Sequence, residues 1–231
     1  MQSTIRLTNA PTEHIASRLR GEVVAGRFHA GEPLREVALA AEFGVGRTLV
    51  RQAFGVLVKE GLLNARHNCG VTVAEPPSQA ARELLTPLRV QIETYALRRC
   101  FDTLDDAAFR EWDALLIRLR HAVELRDRAA ILDADFAFHR SILARAGLEE
   151  LVPVWQPVIT RLRAYHDRRN HRFDDGQLPL IHAIHEALVR VFREGTKREA
   201  LAALRSHIED GEFNQRVRRA WLRRQAGRQK H

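Results

Sequence analysis

Asp135 and His139 stand four residues apart in a stretch whose other inward positions, Ile131, Leu132, Phe138 and Ile142, form the apolar stripe of a helix. A carboxylate on such a stripe needs a positive partner. His185 shares its face with Leu188, Val189 and Phe192, and His207 shares its face with Ala200, Ala203 and Leu204, so both also point toward a core. If Gly195 and Thr196 form the turn of a helical hairpin, His185 and His207 both lie about 15 Å from it at the rise of an α-helix, and so at one level. One carboxylate and three imidazoles meeting inside a bundle are a donor set for a divalent ion, Zn2+ first among Zn2+, Ni2+, Fe2+ and Mn2+. Taken singly, each histidine reads first as a hydrogen-bonded core residue, and only the convergence of four points to metal. His182, one turn from His185 on a similar face, is the rival ligand.

These residues need helices to carry them. From Gln79 onward no alternating strand pattern occurs, and amphipathic stretches at 79–100, 104–126, 128–145, 149–170, 177–194 and 197–219 predict an all-helical bundle. Thr103 to Asp106 and Thr196 to Glu199 read as capping boxes, and Gly147, Gly176 and Gly195 fall at the breaks. Upstream, Glu75-Pro76-Pro77-Ser78 stops whatever precedes it. The chain therefore divides into a small domain at 1–75, a linker at 76–80 and a helical domain at 81–231 that ends in a basic tail.

In the small domain, Thr12 is expected to cap a helix running through Ile15, Leu19 and Val23 to a stop at Gly26. A second helix with Leu34, Val37, Ala38 and Ala41 at helical spacing ends near Gly44. The next helix buries Val45, Val50, Phe54 and Leu57 and leaves Arg47, Thr48, Arg51 and Gln52 together on its polar face. Arg and Gln are suited to bidentate contacts with guanine and adenine edges, so this face fits a DNA groove. After Gly61, residues 62–65 predict a strand, Arg66 to Cys69 a tip, and Gly70 to Val73 a returning strand: a two-stranded wing.

The order of helix, Gly26-Arg27-Phe28-x-x-Gly31-Glu32-x-Leu34, helix, Phe43-Gly44-Val45-Gly46-Arg47-Thr48, Glu60-Gly61-Leu62-Leu63 and wing resembles the GntR-type winged-helix transcription regulators. The resemblance implies that Arg47, Thr48 and Arg51 contact DNA, and that Gly70 lets the wing tip approach the backbone, where Arg66, His67 and Asn68 stand as substitutes for a wing Arg. Gly46 stands where that family has Ser, Leu49 where it has Pro, and Cys69 where a wing Arg is common. The helical part resembles the effector-binding (FCD-type) domain of the FadR-like branch, with Asp135-x-x-x-His139, His185 and His207 at all four ligand positions. It implies that Arg89, in Arg89-x-x-x-Glu93, points toward the ligand cavity, and that the metal holds a small organic acid.

Composition limits the alternatives. With 45% hydrophobic residues in 231, the chain can bury a core in both domains. No apolar run of leader or membrane-spanning kind is present, so a cytoplasmic protein with no membrane partner is expected. Cys69 and Cys100 are too few for a disulfide framework. The net charge of +8 suggests nucleic acid, but 216–231 holds most of the excess, as a solvated, frayed terminus or an added phosphate contact. No Glu-x-x-His pair of the di-iron type and no Gly-rich phosphate loop suggests an enzyme. The sequence thus predicts a homodimeric, ligand-responsive regulator, a repressor by resemblance, that reads a palindromic DNA operator and senses a small carboxylate. A pure metal-ion sensor and a metal-dependent enzyme are the alternatives.

Overall fold

The computed structural model describes residues 10–66, 70–170 and 177–228. The fold is mainly α-helical: a winged helix-turn-helix followed by an all-α bundle. In the first part α1 (Ala10–Val24), α2 (Glu36–Phe43) and α3 (Arg47–Lys59) enclose Leu19, Val23, Leu39, Val50, Phe54 and Leu57. Gly44 closes α2 in the left-handed region at φ 66°, which a glycine reaches without steric cost, and the chain turns through Val45 into α3. Thr12 lies inside α1 rather than at its start, and its hydroxyl donates to Gln52 Oε1 at 2.9 Å. The expected cap is therefore a tie between α1 and α3.

The wing has one strand more than the sequence predicts. Strands β2 (Leu63–Arg66) and β3 (Gly70–Val73) pair antiparallel, and β3 pairs on its other edge with the two-residue β1 (Pro33–Leu34). Pro33 can stand there because a proline is tolerated on an edge strand. The tip residues 67–69, with His67 and Cys69, lie outside the described residues.

The bundle comprises α4 (Gln79–Cys100), α5 (Asp106–Glu124), α6 (Arg128–Arg145), α7 (Val152–Asn170), α8 (Leu178–Glu194), α9 (Lys197–Ile208) and α10 (Glu212–Arg228). The capping box at Thr196 and Glu199 is formed. The one expected at Thr103 is not: Asp105 caps α5 by accepting from the Ala108 amide. The predicted helix 197–219 is broken into α9 and α10, with Asp210 left-handed at φ 53°. Helix then continues to Arg228, so the described part of the basic segment is helical. Trp112, Phe138 and Phe192 pack ring against ring at the centre, and Trp112 Nε1 donates to Ser141 Oγ at 2.7 Å.

The two parts share a packed interface. Along it α1 lies directly on α6, because a Cβ at Gly21 would overlap both the side chain and the backbone of Ala129. Beside this contact the buried Arg20 donates to both Glu60 carboxylate oxygens, at 2.8 and 2.7 Å, and reaches Asp133 of α6 at 3.5 Å. Ser17 also bonds Asp133, Gln156 of α7 donates to Glu60 at 3.0 Å, and Arg161 donates to the Gly61 carbonyl at 3.0 Å. Alanine at position 21 would be favoured by helix propensity. It should nevertheless lower thermal stability, by about 1 to 3 kcal/mol of overpacking, because the obstacle is backbone. A melting temperature of Gly21→Ala equal to or above that of the parent would refute the direct packing of α1 on α6.

Candidate metal centre and nucleic-acid interface

Four helices bring the histidine cluster together. α6 supplies His139, α8 supplies His185 and α9 supplies His207, and one nitrogen of each lies within 4.8 Å of the others. The His139 and His207 rings stack with centroids 5.2 Å apart, and His185 stands edge-on to both. α4 adds no ligand, but its Glu93 orients one.

Each ring turns its Nδ1 to an acceptor. His139 Nδ1 faces Glu93 Oε2 at 2.7 Å, His185 Nδ1 faces the Ile181 carbonyl at 2.8 Å, and His207 Nδ1 faces Asn214 Oδ1 at 3.2 Å. The Asn214 amide is fixed by its own donor, which bonds the His207 carbonyl at 3.0 Å. All three acceptors call for the proton on Nδ1, so each Nε2 presents a lone pair inward. His139 Nε2 and His207 Nε2 then face each other at 3.3 Å. Two lone pairs at that distance repel unless a cation is bonded to both. The separation also fits Zn–N bonds of about 2.0 to 2.1 Å at a tetrahedral angle.

Asp135 stands beside this group. Its Oδ1 lies 3.0 Å from His185 Nε2, without the direction of a hydrogen bond, and 3.9 Å from His139 Nε2. The positive partner it requires is Arg163 of α7, bonded to its carboxylate. Burial would push the Asp135 carboxyl up, but Arg163, with His185 and His139 behind it, outweighs burial and holds it well below the ordinary 3.8. Burial likewise works against Glu93, which Arg89 and His139 bring down to about 2. Burial lowers the pKa of His139, opposed by Glu93, and lowers that of His207 still further, reinforced by His185 and His139. His139 and His207, held neutral in this way, are ready to donate their lone pairs.

Arg89 is buried, donates its Nε to Glu93 Oε1 at 2.7 Å, and leaves Nη2 without a hydrogen-bond partner among the described residues. His182 is half-buried and lies outside the cluster. Arg163, Asn214 and the role of Glu93 as the anchor of His139 were not read from the sequence. The i, i+4 spacing of Arg89 and Glu93 marks an ion pair, but nothing local ties either to a histidine forty-six positions away.

On the other part, α3 buries Val50, Ala53, Phe54 and Leu57 and leaves Arg47, Thr48, Arg51 and Gln52 exposed on one face. Gly46 caps it with no side-chain bond. Arg51 holds Glu36 in a two-pronged ion pair at 2.9 and 2.7 Å, and Arg47 reaches the same carboxylate at 3.9 Å. Gln52 accepts from Thr12, so its carbonyl is engaged. Gly70 is exposed at φ 80° and starts β3, while Arg66 ends β2. No helix among the described residues is long and apolar enough to cross a membrane.

Residues 11–73 match the family described as bacterial regulatory proteins, gntR family, and residues 84–210 match the FCD domain. A protein named "Probable D-xylose utilization operon transcriptional repressor" from Paenarthrobacter nicotinovorans is 30% identical over 145 residues, 61% of this chain and 63% of its own length. The gluconate operon transcriptional repressor of Bacillus subtilis (strain 168) is 23% identical over 216 residues, 91% of this chain and 86% of that protein. In fold, the chain is similar to E. coli McbR/YncC, with a TM-score of 0.67 at 19% identity, covering 93% of this chain and 98% of that one. A transcriptional regulator GntR from Rhodococcus sp. RHA1 gives 0.61 at 22%, covering 89% and 96%.

The lowered histidines fix a pH dependence. The unfolded chain takes up protons near 6.5, where folded His139 and His207 do not, so stability present above that pH is lost as the pH falls below it. Glu93 loses its contribution separately, below its ordinary value of 4.5. The melting temperature of chelator-treated protein should therefore drop from about pH 7 to about pH 5.5, and His207→Gln should flatten the drop. A parent curve already flat across that window would contradict the buried neutral cluster.

Proposed function

The chain belongs to the GntR family of bacterial transcription regulators and carries an FCD domain, and on that premise we propose a repressor that releases or grips its operator in response to a small organic acid. The observation that supports the DNA half is the exposed face of α3 that carries Arg47, Thr48, Arg51 and Gln52, in a fold that also holds a wing whose second strand starts at the exposed Gly70. Two such readers in a homodimer would address the halves of a palindromic site. Glu36 holds the Arg51 fork until guanine edges replace it, and an ion pair this exposed offers little resistance to the exchange. Wing contacts from Arg66 and His67 complete the reading. The two relatives named above as repressors support the sign of regulation.

The sensing half rests on the three inward Nε2 lone pairs. His139, His185 and His207, with Asp135, would hold one divalent ion, Zn2+ first by donor set, with Ni2+, Fe2+ and Mn2+ as the alternatives. Such an ion offers a Lewis-acidic coordination position to an effector carboxylate. The protein's own groups do the rest: Glu93, the Ile181 carbonyl and Asn214 aim the rings, and the free Nη2 of Arg89 supplies a donor toward the ligand.

Two measurements test this reading. Arg47→Ala or Arg51→Ala should weaken binding to duplexes selected by the purified protein by about fivefold to a hundredfold, with the fold unchanged. Unaltered affinity in both variants would remove α3 as the recognition helix. His185→Ala or His207→Ala should abolish stoichiometric metal by elemental analysis, whereas His182→Ala should retain it. Protein that neither carries metal nor gains thermal stability from Zn2+, Ni2+ or Mn2+ would leave the histidines as a hydrogen-bonded core cluster.

A further inference from the structure

The charges around the histidines cancel before any ligand is counted. Among the described residues Arg89 pairs with Glu93 and Arg163 with Asp135, two positive charges against two negative. Imidazoles that donate lone pairs contribute no charge. A divalent ion on this set therefore brings two uncompensated positive charges into a region where Asp135, His139, His185 and His207 are all buried. Charge of that kind is tolerated only when matched. One carboxylate supplies half of the match.

Arg163 is placed to recruit the other half. Its guanidinium lies against both oxygens of Asp135, the carboxylate that a metal would share, and its Nε is buried without a hydrogen-bond partner among the described residues. Arg163 and Asp135 together border a small cavity of about 40 Å3, lined also by Ile131, Leu178 and Ile181. That is room for a few waters and too little for an organic acid, so a ligand must displace something. Three larger grooves among the described residues, of about 590, 520 and 710 Å3, are open clefts lined by none of Asp135, His139, His185 and His207.

We propose that the effector is a dicarboxylate, and that Arg163 exchanges its bond to Asp135 for a bond to the second carboxylate when metal and effector are bound. This rests on the metal reading above. Asp135 turns to the metal, the first ligand carboxylate completes the coordination, and the guanidinium fork takes the second in its preferred bidentate geometry. Arg163 is thus both the competitor that metal must overcome and the group that selects two carboxylates over one.

Full-length protein, parent and Arg163→Gln, is titrated with zinc against a chromogenic chelator. The zinc-loaded forms are then titrated calorimetrically with dicarboxylates of increasing length, malonate and succinate among them, and with acetate, propionate and inorganic phosphate. The parent should prefer its best dicarboxylate over the monocarboxylates by about tenfold or more, as expected for one added close charge pair. Arg163→Gln should bind zinc at least as tightly and lose most of that preference, and Arg163→Lys, which keeps the charge without the fork, should keep part of it. Equal affinity for one and two carboxylates in the parent, no dicarboxylate binding, or tighter binding of phosphate would overturn the ligand class. A preference unchanged in Arg163→Gln, or zinc lost from it, would overturn the role of Arg163 alone. Failure of the parent to bind zinc would instead remove the metal reading and this inference with it.

Discussion

Three imidazoles buried side by side each carry at least one N–H, and each N–H must find an acceptor. That constraint organises the bundle. Glu93, the Ile181 carbonyl and Asn214 take the protons on the outer side of the cluster, which leaves the lone pairs of His139, His185 and His207 converging. Each acceptor is itself held: Glu93 by Arg89 at 2.7 Å and Trp155 at 2.8 Å, the carbonyl by the α8 helix, and Asn214 by the backbone of His207. An apolar core would be simpler to pack, and a half-satisfied polar one would be worse than either. Among the buried polar atoms that lack hydrogen-bond partners within the described residues, Arg89 Nη2 and Arg163 Nε lie on guanidinium groups paired to the carboxylates around the cluster. Unused donors there suit an anion.

The reader follows the opposite rule. The polar side chains of α3 are exposed, Arg47 and Arg51 paired with Glu36 and Gln52 with Thr12, and the helix that carries them buries Val50, Ala53, Phe54 and Leu57. Exposed ion pairs contribute little to stability, so these arginines can exchange partners without loosening the fold. The buried Arg20 and Glu60 pair serves a different end. It joins α1 to the end of α3, and its removal from one side would leave an uncompensated charge in the interior.

Much of this was legible in the sequence where the signal is local. The turn at Gly44, the apolar stripe of α3, the capping box at Thr196 and the spacing of His185 and His207 about their hairpin all depend on residues within a few turns of one another. What escaped reading depends on contacts between distant segments or on very short elements. Strand β1 has two residues, too few for an alternating pattern, and one is a proline. The break between α9 and α10 is hidden because Leu204, Ile208, Phe213 and Val217 keep an apolar rhythm across it. Yet that break is what folds Asn214 back onto His207. Arg163 as the partner of Asp135 could be named only once α7 was packed against α6.

Helix α6 is the element common to both halves of the molecule. Asp135 points from it into the histidine cluster, while Asp133, two residues earlier and so on nearly the opposite side of the helix, meets Ser17 and Arg20 of α1. Ala129, one turn before Asp133, lies against Gly21 with nothing larger than its own methyl between the two backbones. A contact of that kind has no rotamer through which to absorb a displacement, since packed interiors shift as units rather than deform. Any movement of α6 that re-aims Asp135 must therefore be taken up at α1, and α1 packs on α3 through Ala16, Leu19 and Ala53 and is tied to Gln52 through Thr12. The histidine cluster at the centre of the bundle and the exposed face of α3 are thus joined through α6 and α1.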